Sequence, residues 1–351
     1  MKIPSFYPGP GRVNPRITEY FYEAYMEGVL SVNHRSEDFM ELMQKTRLIL
    51  HRKLGVPKDY TLAFVSSATE SWEIIAQSLT LQTSQHFYSG AFGAKWYQTA
   101  GKLGINTLAV PFGINEYPPL EQVSTSADVI CLTHCETSNG TILPASSLQG
   151  LRSVLPEQTL IALDVTSSLG GISIDFQWGD YWYASVQKCL GLPSGMGILI
   201  LSPRAVARAY EIGETSHYNS LVTILENSEK NQTHYTPNVL AIYLLYRTLK
   251  ASDGIEVIDE KTRKRFESWT RVIDSFRQLD WLVKDKNLRS PTVLALSCED
   301  PKKIIQQARE SDIILGNGYG EWKDSTFRIA NFPAIRGKEI EKLIHFFEKN
   351  L

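Results

Sequence analysis

At 351 residues, with 43% hydrophobic and 21% charged side chains, the chain has material for a large core and, by length, two domains. A formal net charge of -2 gives no electrostatic reason to bind nucleic acid or an anionic membrane surface. Four cysteines do not make a disulfide framework at this length, no apolar run reaches membrane-spanning length, and Met1-Lys2-Ile3-Pro4 leads into prolines and glycines rather than an apolar leader, so a cytoplasmic location is expected.

Residues 1–16 carry Tyr7-Pro8-Gly9-Pro10-Gly11 and Pro15, which suit neither a helix nor a central strand, so an irregular arm is expected. A helix over 17–29 follows. Ser36 is placed to cap a second helix over 37–54, with Glu37 and Asp38 favourable in its first turn. His34-Arg35 then sits in the loop entering that helix, a setting in which such a pair is usually solvated. Thr61–Val65 reads as a strand. Ser66-Ser67-Ala68-Thr69 turns from it into a helix reaching Thr80, either as an anion-binding helix start or as a plain cap by Ser66 or Ser67. A strand over 85–89 leads through Gly90-Ala91-Phe92-Gly93 to a helix over 94–103, and Asn106–Pro111 is another strand.

Asp128 to His134 reads as a buried strand that delivers Cys135-Glu136-Thr137-Ser138-Asn139-Gly140 to a polar turn. Cys131, His134 and Cys135 lack a second ligand pair at zinc spacing, so no metal site is expected there, and His134 is expected to be a satisfied strand-end residue. A helix over 146–154 leads to three apolar runs, at 160–163, 183–186 and 196–201, read as neighbouring buried strands. The strand–helix alternation from 17 to about 200 predicts an α/β fold, a mostly parallel sheet with helices on both faces and ligands beyond the carboxyl ends of the strands. The polar stretch 213–234 is expected to be a long loop crossing a subunit boundary. Thr236-Pro237-Asn238 opens a helix to about Lys250. A long amphipathic helix over 254–278, strands near 290–297 and 325–330, and helices near 300–310 and 337–349 form a small C-terminal α/β unit. Gly316 to Gly320 reads as a loop. The expected organisation is an arm at 1–16, a large domain at 17–250 and a small domain at 251–351. Arg328, in the strand of the small unit, offers a guanidinium fork that matches a carboxylate, although a surface strand arginine fits equally well.

Two of the three central runs carry a charge at one end: Leu163 gives way to Asp164, and Val186 to Gln187-Lys188. A buried carboxylate and a buried amine are costly unless something pairs with them. Pyridoxal 5'-phosphate uses both, the amine to carry the cofactor and the carboxylate to keep its pyridine nitrogen protonated. The glycines and proline after Lys188, at Gly191, Pro193 and Gly195, support that reading over a loop cap and a solvated lysine.

Asp164-x-x-Ser167-Ser168-x-Gly170-Gly171, followed by Ser185-x-Gln187-Lys188-Cys189-Leu190-Gly191-x-Pro193-x-Gly195, resembles the class V aminotransferases, a branch of the fold type I pyridoxal-phosphate-dependent transferases. The resemblance covers nearly the whole chain. Within the class, the N-terminal part is most similar to the phosphoserine aminotransferases. It implies catalytic roles for Lys188 and Asp164. It implies cofactor contacts by Ala68, Thr69, Phe92 (stacked on the pyridine), Thr137 (on the phenolic oxygen), Gln187 and Thr236. It implies substrate contacts by His34, Arg35 and Arg328, with Arg328 on the α-carboxylate. Gly9 and Arg12 become possible neighbours of the site. It also implies a homodimer with shared active sites, acting on small amino and keto acids, with phosphoserine:2-oxoglutarate transamination in serine biosynthesis as the expected activity. Phe92 matches the broader class, since many phosphoserine aminotransferases have Trp there, and the chain departs from that branch in three further places. Ala68 and Thr69 stand where related chains often have Gly-Gly, Tyr235 stands for an Asn, and Glu321-Trp322 stands for a His-Arg pair that helps hold the phosphate. A serine–pyruvate or alanine–glyoxylate aminotransferase is the alternative. A cysteine desulfurase or other lyase is a further one, but it needs a mobile nucleophilic cysteine, and neither Cys189 nor Cys298 is placed for that.

Overall fold

The structure, a computed structural model, describes residues 3–351; Met1 and Lys2, the start of the expected arm, lie outside the described residues. A seven-stranded sheet runs in the order Thr61–Val65, Gly197–Leu201, Tyr181–Ser185, Leu160–Asp164, Val129–Thr133, Thr83–Tyr88, Asn106–Pro111. The last five are mutually parallel, and Gly197–Leu201 is antiparallel to both of its neighbours. The three apolar runs are adjacent strands, as expected.

Alternation along these strands places the core on two faces. Ile161, Leu163, Trp182, Ile198 and Ile200 pack with Phe39, Met43 and Leu50 of helix Glu37–Leu54 and with Leu244 and Leu245 of helix Val239–Ala251. Leu160, Ala162, Tyr181, Leu199 and Leu201 pack on the other side with Ile74, Trp96, Ala205 and Leu225. Every one of these side chains is buried, and removing one such large aliphatic group, as in Leu163→Ala, costs about 2–5 kcal/mol.

A second sheet of five strands has the order Ser5–Phe6, Ile314–Asn317, Thr326–Ala330, Val293–Ser297, Asp280–Trp281. Two expectations are corrected here. The N-terminal arm is not wholly irregular, since Ser5–Phe6 pairs in parallel with Ile314 and Leu315 at the edge of this sheet. Phe6 is fully buried there and meets Trp269 edge-on at 6.4 Å. Gly316 and Asn317 are likewise strand residues, paired with Arg328 and Phe327. The pairing supplies what local propensity lacks, because an edge strand needs only one satisfied side.

A third correction concerns 213–234. Leu221–Glu229 is a helix, capped by Ser220, whose Oγ accepts from the Thr223 N–H at 3.2 Å. Leu221, Ile224 and Leu225 bury their side chains against the sheet, so its apolar face outweighs the polar composition of the stretch.

Candidate active site

Parallel strands end on one edge of a sheet, so the residues just past those ends converge. Thr137 follows Val129–Thr133, Asp164 ends its strand, and Gln187 and Lys188 follow Tyr181–Ser185. Together with Ala68, Thr69 and Phe92 they line one cavity of about 230 Å³. Two polar atoms at its wall, Gln187 Oε1 and Thr133 Oγ1, are buried without a hydrogen-bond partner among the described residues. Orphaned acceptors of this kind are costly, and a polar ligand satisfies them.

Lys188 is buried, and its Nζ donates to Thr137 Oγ1 at 2.9 Å and to Ser167 Oγ at 3.2 Å. Asp164 is not among its hydrogen-bond partners; the carboxylate accepts instead from the Thr166 N–H at 2.8 Å. Burial pulls the Lys188 amine down to about 8, against the opposing pull of Asp164, and the nearby Arg328 guanidinium pulls the same way as burial. Burial pushes the Asp164 carboxyl up, with Thr166 and Lys188 opposing it. The amine and the acid thus line one space without a direct hydrogen bond between them, each short of the counter-charge that would settle it.

Phe92 lies on the first turn of a helix that spans Ala91–Lys102, three residues earlier than the sequence pattern placed it. The reason is Glu136. Its buried carboxylate accepts from the N–H groups of Phe92 at 3.1 Å and Gly93 at 3.2 Å, and from Ser138 through the backbone and the hydroxyl. A carboxylate on free helix N–H groups favours the helix start. Sequence reasoning missed Glu136; the acid two residues after a strand end was its one visible signal. The Ala68–Glu70 turn is self-capped, with Ser67 Oγ accepting from the Thr69 N–H at 3.2 Å.

Arg328 is buried on its strand, with Nε donating to Asn317 O and Nη1 to Thr137 O, both at 2.7 Å. It therefore couples the second sheet to the cavity. The arm reaches the same place: a Cβ on Gly9 would come within 3.1 Å of Lys188 Cε, and the Gly11 N–H donates to Gln187 O at 2.8 Å. Gly9 is thus a neighbour of the cavity. Arg12 is not, since its guanidinium pairs with Glu339 at 2.9 Å.

Three of the expected contacts lie elsewhere in this chain. Arg35 is exposed, with Nη1 donating to Asn227 Oδ1 at 3.2 Å and to Gln232. His34 stands beside it, and Thr236 is exposed ahead of helix Val239–Ala251. None of the three lines the cavity. Cys189 is buried with its thiol pushed up by burial, and Cys298 is half-buried, its thiol pushed up to about 11. Neither presents the low-pKa exposed thiol that sulfur transfer requires. His134, with Nδ1 2.8 Å from Ser168 Oγ, is a satisfied buried residue.

The chain is 26% identical to the phosphoserine aminotransferase of Rhodococcus opacus (strain B4) over 95% of its length and 91% of that protein's. It is 27% identical to that of Corynebacterium glutamicum (strain R), with the same coverage. The crystal structure of a phosphoserine aminotransferase from Cytophaga hutchinsonii superimposes with a TM-score of 0.95 at 30% identity, over 99% of both chains. An alanine–glyoxylate aminotransferase from Nostoc sp. shares the fold, with a TM-score of 0.83 at 21% identity over 99% of this chain and 94% of that one. The family model for aminotransferase class V matches residues 8–318, which takes in the latter part of the arm, the cavity and three of the five strands of the second sheet, and the chain belongs to that family of transaminases.

Proposed function

We propose that the protein holds pyridoxal 5'-phosphate on Lys188 and transfers the amino group of phosphoserine to 2-oxoglutarate, or the reverse, as a homodimer with shared sites. The observation that carries this is the cavity itself: a buried amine brought to about 8 and a buried carboxyl, with the unpartnered Gln187 Oε1 and Thr133 Oγ1 in the same wall. Those groups fit the cofactor's aldehyde, pyridine nitrogen and polar substituents. When bound, the cofactor withdraws electrons from the substrate α-carbon and makes its proton acidic. The neutral Lys188 amine takes that proton and returns it, a general acid–base role suited to a pKa near the working pH. Asp164 supplies the negative charge that keeps a pyridine nitrogen protonated, a charge-assisted bond worth about 1.5–3 kcal/mol. Ala68, Thr69, Phe92, Thr137 and Gln187 hold and orient the ring and its phosphate. Arg328 takes the α-carboxylate. Thr236 and the His34-Arg35 loop serve the partner subunit's site, which accounts for their distance from the cavity in their own chain. The names of the relatives support the choice of phosphoserine.

A second reading, alanine–glyoxylate exchange, draws on Glu321-Trp322. These residues border a hollow shared with Ala91 and Ala94 on the helix that starts beside the cavity, and an acid there repels a phosphate. The test is the absorption spectrum of the purified holoprotein. Phosphoserine is expected to bleach the cofactor band and 2-oxoglutarate to restore it. Bleaching by alanine with none by phosphoserine replaces the first reading with the second.

A further inference from the structure

Lys95 lies one helical turn beyond Phe92 on the helix Ala91–Lys102 and, among the described residues, is the cation in the cavity wall besides Lys188. Its Nζ donates to Tyr319 Oη at 2.7 Å. An ammonium has three donors and no acceptor, so two remain. Among the described residues, Lys95 has no carboxylate within ion-pair distance, whereas most other exposed lysines with a recorded side-chain bond lean on an acid, as Lys261 does on Asp253 and Lys264 on Glu260. Its position is braced: Phe92 and Tyr319 stack with centroids 5.1 Å apart and planes 16° off parallel, and Nζ sits 5.6 and 4.9 Å from their centres.

Arg328 Cζ lies 5.3 Å from the centre of the same Tyr319 ring. Each cation is therefore about 5 Å from one ring, and the two are at most twice that apart. An α-amino acid with a terminal acid on its side chain has a spacer of roughly 5 Å between its two acidic groups. Adding a charge-assisted contact of about 2.8 Å at each end gives an extended span close to that upper limit. Glu321, the acid that stands where the phosphoserine enzymes place a basic pair, borders the adjoining hollow, not the wall that Lys95 lines.

We infer that Lys95, steadied by Tyr319, binds the distal acidic group of the amino donor while Arg328 binds its α-carboxylate. This rests on the aminotransferase reading above and deepens it, since it adds a cation from the same chain to the distal anchor that the His34-Arg35 loop supplies across the subunits. A free ammonium at this wall also suits the cofactor's own phosphate, and the test separates the two.

The experiment uses holoenzyme of the parent, Lys95→Met and Lys95→Arg. It measures half-reaction kinetics with phosphoserine, glutamate and alanine, the calorimetric affinity for glutarate (a diacid that cannot react), and cofactor retention on dialysis. In Lys95→Met, KM for both diacids and Kd for glutarate are expected to rise about tenfold or more. Alanine kinetics and cofactor retention should change less than twofold, and Lys95→Arg should recover most of the loss. Weaker cofactor retention in Lys95→Met, or equal losses with alanine, overturns the inference in favour of a phosphate or structural role. A parent enzyme that turns over alanine but neither diacid overturns the phosphoserine reading and this inference together, whereas an active parent with an unselective variant overturns this inference alone.

Discussion

The floor and the rim of the cavity are built differently. Asp164, Thr137 and Lys188 sit at or just past the ends of parallel strands, are buried, and are held by hydrogen bonds, Asp164 from the Thr166 N–H and Lys188 to Thr137 Oγ1. Arg35 and Thr236 are exposed on loops outside it. A floor residue is positioned by the core, so its cost is met by packing on every side. A rim residue contributes little to its own chain's stability and is free to serve a substrate or a second subunit. The contrast implies that floor substitutions change the chemistry for every substrate, whereas rim substitutions change which substrates are taken.

The largest expected effect is at Lys188. Lys188→Ala should lower transamination by about 10⁴-fold or more with every donor. Borohydride labelling of the parent followed by peptide mapping should place the cofactor on Lys188, and a label on another lysine would end that assignment. The same residue gives a pH signature. Burial depresses the amine to about 8, so the reactive neutral form grows as pH rises through that value. Cofactor uptake by the apoprotein should quicken about tenfold from one pH unit below to one above; a flat profile shows that the amine does not limit uptake.

Asp164→Asn comes next. Losing a preorganised charge of this kind lowers kcat by about 10²–10³-fold, with cofactor still bound as judged by its absorbance. Near-normal turnover would reduce Asp164 to a cap for the Thr166 N–H.

Glu136→Gln tests the floor as structure. The amide nitrogen replaces an oxygen that accepts two of the four hydrogen bonds, so unfolding free energy should fall by about 1–3 kcal/mol, read from denaturant midpoints, with little change in donor preference. An unchanged midpoint would mean the Ala91–Lys102 helix starts without it.

The smallest change in stability is expected at the rim. Arg35→Ala removes exposed bonds to Asn227 and Gln232, worth within about 0.5 kcal/mol. If the site is shared, turnover of phosphoserine and glutamate should nonetheless drop while alanine is spared. Equal effects on all three donors, or full activity of a dilute monomer in sedimentation, would remove the rim from the site.

Much of this was legible in the residues. Asp164 and Lys188 stand out because a charge ends an uninterrupted apolar run, and an apolar run in an alternating strand–helix chain is a buried parallel strand. Ser36 was readable as a cap for the same local reason: its Oγ accepts from the Phe39 N–H three residues on. The pair itself pointed to a cofactor that uses both groups, and the resemblance then added the surrounding contacts. Other features were not legible, because nothing local encodes them. Ser5–Phe6 becomes a strand only through Ile314 and Leu315, more than three hundred positions away. Phe92 opens a helix because Glu136 arrives from another strand end.

Lys95 shows where that boundary falls. In the sequence it is an ordinary lysine on a helix, and its spacing from Phe92 says only that the two share a face. Its meaning comes from Tyr319, brought over from the loop after Ile314–Asn317, and from Arg328 near the same ring. Strand ends and the charges on them are written in local residue order, since burial and periodicity act over a few residues. The placing of Lys95 at the cavity wall and near Arg328 is not, because it depends on how two sheets, an N-terminal arm and one helix pack around a common space.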